Sequence, residues 1–127
     1  MKKFFASLTV ILGIVFLLGF ISCNKDNSDN TCNIGKNDVA PAAMVIHFTA
    51  SQTGDGIIST LTYAVGSTQK TISNPSLPWS TDVQAAAGDA ISITASGKAD
   101  HGSIKVTYDG TNETTEIKGE DYCSHSK

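Results

Sequence analysis

Between residues 42 and 118 apolar and polar side chains alternate with a period of two. Met44, Ile46 and Phe48 interleave with Val45, His47 and Thr49. Ile57, Ser59, Leu61, Tyr63 and Val65 interleave with Ile58, Thr60, Thr62 and Ala64, and the same beat returns in Ile91, Ile93 and Ala95 and in Ile104, Val106 and Tyr108. Successive side chains of a strand point to opposite faces, so this pattern is that of sheets with one buried face. β-branched and aromatic residues fill the runs, as a pleated surface favours. No segment of this region carries a helical period.

Turn-forming residues separate the runs: Gly54-Asp55-Gly56, Gly66-Ser67, Asn74-Pro75, Gly88-Asp89, Gly97 and Asp109-Gly110. The last pair, set between two alternating segments, predicts a tight hairpin. Seven strands follow, near 42–51, 57–65, 69–73, 79–86, 90–96, 103–109 and 112–118. The expected fold is an all-β, immunoglobulin-like antiparallel β-sandwich of about 85 residues, with a small barrel as the alternative. Trp79, the single tryptophan, is expected to plug the core.

The chain begins differently. Lys2 and Lys3 precede 18 residues, 4–21, that hold no charge. A basic start and an apolar run are the n- and h-regions of an export signal, although a run of this length also suffices to span a bilayer. It ends in Gly19-Phe20-Ile21-Ser22-Cys23, which resembles the lipobox of bacterial lipoproteins, with Phe20 where Leu is usual. That resemblance implies that Cys23 carries a lipid and becomes the new N-terminus. The alternative is an uncleaved anchor with Cys23 an incidental thiol; the polar, acidic residues that follow lack the Lys/Arg that flank such anchors. Asn24-Lys25-Asp26-Asn27-Ser28-Asp29-Asn30 is too polar to bury a core. It resembles the surface-export signal of Bacteroidetes lipoproteins. The expected organisation is a signal peptide over 1–22, a lipidated N-terminus and tether over 23–37, and the sandwich over 38–127. The expected location is the cell envelope, on the outer membrane, facing the periplasm or the cell surface.

A second resemblance covers roughly 44–124. Leu61-Thr62-Tyr63, Leu77-Pro78-Trp79-Ser80, Ala87-Gly88-Asp89-Ala90-Ile91 and Ser103-Ile104-Lys105-Val106 resemble the soluble domain of the MmpS (mycobacterial membrane protein small) family. It implies a sandwich that serves beside an RND-class transporter exporting lipidic or siderophore-type molecules. Family members keep an uncleaved helix and carry a Cys in the strand where this chain has Ala95.

Charge and cysteine content narrow the chemistry. From Cys23 onward 7 Lys face 12 Asp and Glu with no Arg, a net charge of −5. Such a chain lacks the basic face that a nucleic-acid partner requires. With Cys23 assigned to lipid, Cys32 and Cys123 bracket the domain. They are expected to form a disulfide in an oxidising compartment, the alternative being two separate thiols.

Cys123-Ser124-His125 with His101 and His47 lacks the paired spacing of zinc sites, so these histidines read as surface residues and no metal or other cofactor is expected. Asp55, Asp82, Asp89, Asp100 and Asp109 fall mostly in predicted turns, where Asp bonds locally, and match no calcium-loop spacing. Nucleophile-elbow and phosphate-loop motifs are missing from the sequence, and no enzyme activity is expected. Two roles are left: an accessory module that docks on another envelope component or holds an apolar ligand, and a structural or adhesive surface protein. A concave apolar pocket between the sheets would favour the first; a filled core with one flat exposed apolar patch would favour the second.

Overall fold

The computed structural model describes residues 30–126. The expected signal peptide over 1–22, the expected lipidation site Cys23 and residues 24–29 of the expected tether fall outside them. Eight strands build the domain: β1 (Thr31–Val39), β2 (Met44–Thr53), β3 (Ile57–Val65), β4 (Thr68–Ser73), β5 (Trp79–Ala85), β6 (Ala90–Lys98), β7 (Gly102–Asn112) and β8 (Thr115–His125). All pairings are antiparallel, in two four-stranded sheets of order β1-β6-β3-β4 and β5-β2-β7-β8. The two sheets pack face to face as a β-sandwich.

The inward rows follow from the alternation. Leu61, Tyr63 and Val65 of β3 and Ile91, Ile93 and Ala95 of β6 face Met44, Ile46 and Phe48 of β2 and Ile104, Val106 and Tyr108 of β7, all buried. Each large aliphatic or aromatic side chain so buried contributes about 1.5–3 kcal/mol relative to exposure. Among the described residues no buried residue is charged or polar by class.

The sequence expectation is corrected in five places. The sandwich begins seven residues before 38: β1 pairs along its whole length with β6, from Thr31 opposite Lys98 to Val39 opposite Ala90. The stretch Cys32-Asn33-Ile34-Gly35-Lys36-Asn37 is polar because β1 is an edge strand in which only Cys32 and Ile34 reach the core.

The last hairpin turns at Glu113-Thr114, not at Asp109-Gly110. Gly110 lies inside β7 opposite Ile117, and Asn112 pairs with Thr115 across the turn. Gly110 is there for space, since a Cβ on it would stand 2.7 Å from Ile46 Cδ1 and 2.9 Å from Met44 Sδ. The turn is fixed instead by Asn112, whose side-chain oxygen accepts the Thr114 N–H at 3.1 Å while its amide donates to the Ala43 carbonyl at 3.0 Å.

Gly97 is likewise a strand residue. The β3–β6 register slips between Ile58 and Thr60, leaving Ser59 as the extra residue of a β-bulge. Gly97 lets β3 approach, because a Cβ there would lie 1.9 Å from the Ile57 carbonyl oxygen. The bulge reverses the facing of the strand's first turn of alternation. Ile58 is therefore buried and Ile57 is half-exposed, the opposite of a uniform period.

Trp79 is only partly buried. It starts β5 and rests on Tyr63, ring centroids 5.3 Å apart, while Phe48 and Tyr108 fill the centre. Asp109, expected in the turn, lies within β7, whereas Asp82 lies within β5 as its predicted strand implied.

The strand order shares the β2–β5 and β3–β6 pairs with the B–E and C–F pairs of immunoglobulin-like domains. At the periphery β1 flanks β6, while β7 crosses to flank β2 and carries β8 with it. The first and last strands are thus neighbours across the gap between the sheets.

Candidate functional site

The meeting of β1 and β8 is where the chemically distinctive residues gather. Cys32 and Cys123 are joined in a disulfide, with Cα atoms 5.8 Å apart. Cys32 is buried and Cys123 half-buried, so the bond caps one end of the core. Farther along the seam the Gly35 N–H donates to the Asp121 carboxylate at 2.9 Å. The two edge strands are thus tied to each other at this seam by the disulfide and one backbone-to-carboxylate bond, without a backbone ladder between them.

His125, at the end of β8, turns its ring toward the bond. Its Nδ1 lies 4.0 Å from the Cys32 sulfur and 3.9 Å from the Cys123 sulfur. The expectation of a simple surface histidine is thus incomplete: the strand runs four residues beyond Gly119-Glu120-Asp121 and places His125 on the inward row with Cys123. The period-two spacing of Cys123 and His125 was the available sign. His101, Thr53, Ser103 and Ser124 line a groove of about 350 Å³ at the same end of the sheet, on its outer face. His47 is elsewhere, on the outer face of β2, in contact with the Asp82 carboxylate.

The loops beside the cluster are held by Asp55. Its carboxylate accepts the N–H groups of Asp100 and His101, both at 2.9 Å. The His101 N–H bond, first of all, holds this exposed carboxyl below the ordinary value of 3.8. Asn30 donates to Asp100, and the Ala99 N–H to the Asn30 carbonyl at 3.0 Å, which pins the start of β1 at the same end. Asp89 accepts the Ala86 N–H at 2.9 Å in its turn. These acids serve the backbone, as turn acids do.

The two outer faces differ in charge. Across the sheet of β1, β6, β3 and β4 run three rows: Asn33-Ser96-Thr60-Ser73, Gly35-Thr94-Thr62-Thr71 and Asn37-Ser92-Ala64-Gln69. None of these twelve positions is charged, and Lys98 stands beyond them at one end. The outer face of the other sheet carries Asp82, His47, Asp109 and Lys118 in a single row and Lys105 bonded to Glu120 at 3.1 Å.

Between the sheets the core is filled by the side chains already named. A second groove, lined by Tyr108, Asp109, Glu116, Lys118 and Glu120, lies along β7 and β8. The residues of the MmpS-like motifs sit where they pack or turn the chain: Leu61, Tyr63, Leu77 and Trp79 against the core, Gly88 at a φ of 89°. No protein-family model, characterised protein or solved structure matches the chain.

Proposed function

We propose that this chain is a lipid-anchored, non-catalytic module of the cell envelope that acts by docking on another envelope protein. The observation that carries the reading is the division of its three cysteines. Two are joined across the domain, as oxidising compartments permit and the cytosol does not. The third, Cys23, follows Ser22 at the end of an apolar run.

The tether adds support. Seven polar residues, 24–30, span at most about 25 Å when extended, so the domain stays close to the surface that holds the lipid. The filled core favours contact through an outer face over storage of an apolar ligand. The uncharged rows of the β1-β6-β3-β4 sheet are the proposed contact face, because a neutral surface of hydroxyls and amides can be covered without stranding a buried charge. The MmpS-like motifs make an RND-class transporter the first partner to seek, although their residues here serve packing. A structural or adhesive role is the second reading, favoured by β4 and β5, which end their sheets without a paired neighbour.

The test is affinity purification of the tagged, membrane-extracted protein with identification of what accompanies it. The docking reading expects one envelope protein recovered by the wild type and by Thr111→Lys on the charged face, and lost with Thr94→Lys on the neutral face. Equal recovery by both variants removes the assigned face. Recovery of no partner in repeated preparations favours the structural role.

A further inference from the structure

The cluster at the β1–β8 seam has a donor set that the disulfide conceals. Two cysteine sulfurs and one imidazole nitrogen lie within 4.8 Å of one another, supplied by Cys32, Cys123 and His125. We propose that the reduced form of this protein binds a zinc-class divalent cation through Cys32, Cys123 and His125, and that forming the disulfide expels it.

The geometry supports this directly. Zinc binds thiolate at about 2.3 Å and imidazole at about 2.0–2.1 Å, so a tetrahedral site has sulfur–nitrogen edges of about 3.6 Å and a sulfur–sulfur edge of about 3.8 Å. Nδ1 of His125 already stands 4.0 and 3.9 Å from the two sulfurs. Loss of the covalent bond frees the sulfurs to separate to the remaining edge. The backbone needs no large change, because Cys32 and Cys123 lie on neighbouring edge strands whose other ties, the Gly35–Asp121 bond and the β1–β6 and β7–β8 ladders, do not involve sulfur.

Burial is graded across the site as a three-ligand site requires. Cys32 lies within the core, and Cys123 and His125 are half-buried at the end of β8. A three-ligand zinc site leaves its fourth position to water. Two thiolates balance the charge of a divalent ion, so the loaded site is neutral at the margin of an apolar core. Hard cations such as calcium and magnesium gain little from sulfur donors, and the charge balance of two thiolates suits a divalent ion, which points to the zinc class.

The exchange balances with a dithiol reductant of the thioredoxin class. One thiolate of the reductant attacks the Cys32–Cys123 bond to give a mixed disulfide and release one cysteine, its second thiol then displaces the other cysteine, and the reductant ends as a disulfide with both cysteines as thiols. Binding of the cation then releases two protons from them. Reoxidation by exchange with an oxidant that carries a disulfide, which takes up the two electrons and ends as a dithiol, removes both thiolate donors together and leaves one imidazole, too little to hold the ion.

The experiment uses the full chain in detergent with Cys23→Ser, so that Cys32 and Cys123 are its only thiols. After reduction with a phosphine, cobalt(II) is added as a spectroscopic probe, then zinc. The proposal expects one cobalt per chain, tetrahedral visible bands with sulfur-to-cobalt charge transfer, displacement by zinc with two protons released, and an unchanged β-sheet circular dichroism spectrum. It expects no binding by the oxidised chain. His125→Ala should retain the sulfur band and weaken binding at least tenfold. The proposal is overturned by His125→Ala binding as tightly as the parent, by cobalt bands equally strong in the oxidised chain, or by binding only with loss of the β-sheet spectrum.

Discussion

Tyr108 shows how single side chains set the interior. Its ring lies over Gly119, its cross-strand partner, and its hydroxyl donates to the Asp38 carboxylate of β1 at 3.0 Å. A Cβ at position 119 would come within 2.5 Å of three Tyr108 atoms. Gly119→Ala therefore forces the ring to move or β8 to shift, and is expected to cost about 1–3 kcal/mol. A lower urea midpoint with an unchanged slope would register it. Burial, and then the bond to Asp38, push the Tyr108 phenol from 10.0 up to about 12. The folded form holds this proton longer than the unfolded chain does. Its contribution to stability is complete below about pH 10 and is lost as the pH rises towards 12. In an ultraviolet titration of the folded protein, Tyr108→Phe should remove a late-ionising tyrosine component. An identical curve for the variant would contradict the assignment.

Among the elements, the strands most plainly visible in sequence are those buried on one face along their length. β2, β6 and the first part of β7 follow the alternation because Met44, Ile46 and Phe48, Ile91, Ile93 and Ala95, and Ile104 and Val106 meet the opposite sheet. The elements that escaped are governed by something other than alternation. β1 is held by a partner strand and a disulfide rather than by its own side chains, so its polar composition resembles a tether. The bulge at Ser59 and the glycines at 97 and 110 answer to close backbone or side-chain approach, which only the assembled sheets reveal. His125 escaped as a site for a related reason: its neighbour Cys32 is 93 residues away in sequence.

The disulfide gives β1 its principal dependence. The bond closes a sequence separation of 91 residues, worth roughly 4 to 5 kcal/mol on the chain-entropy account. Reduction should lower the chemical-denaturation midpoint by a corresponding amount. Amide exchange should quicken first in β1 and the end of β8, while β2, β3, β6 and β7 keep their protection. Uniform loss of protection would mean that the seam is not a separable unit.

At the scale of the molecule, two stretches of different character are joined. An apolar run and a cysteine carry the proposed address, and a small acidic sandwich, joined at one seam by a disulfide, is the folded part. The fold class was legible because period-two patterning must repeat in every buried strand. The proposed role was less so, since the face proposed for docking, built of threonine, serine and asparagine, has the composition of any solvated sheet. Only the register, which lines up three uncharged rows across four strands, distinguishes it from the charged face opposite.

The claim on which the account turns is that Cys23 is the lipid-bearing first residue of the mature chain. Intact-mass measurement of the protein extracted from envelope membranes tests it most directly. The account predicts a chain beginning at Cys23, heavier than its 105 residues by a diacylglyceryl group, with or without a further acyl chain, and lighter by two hydrogens for the Cys32–Cys123 bond. An unmodified chain that still carries residues 1–22 would contradict it.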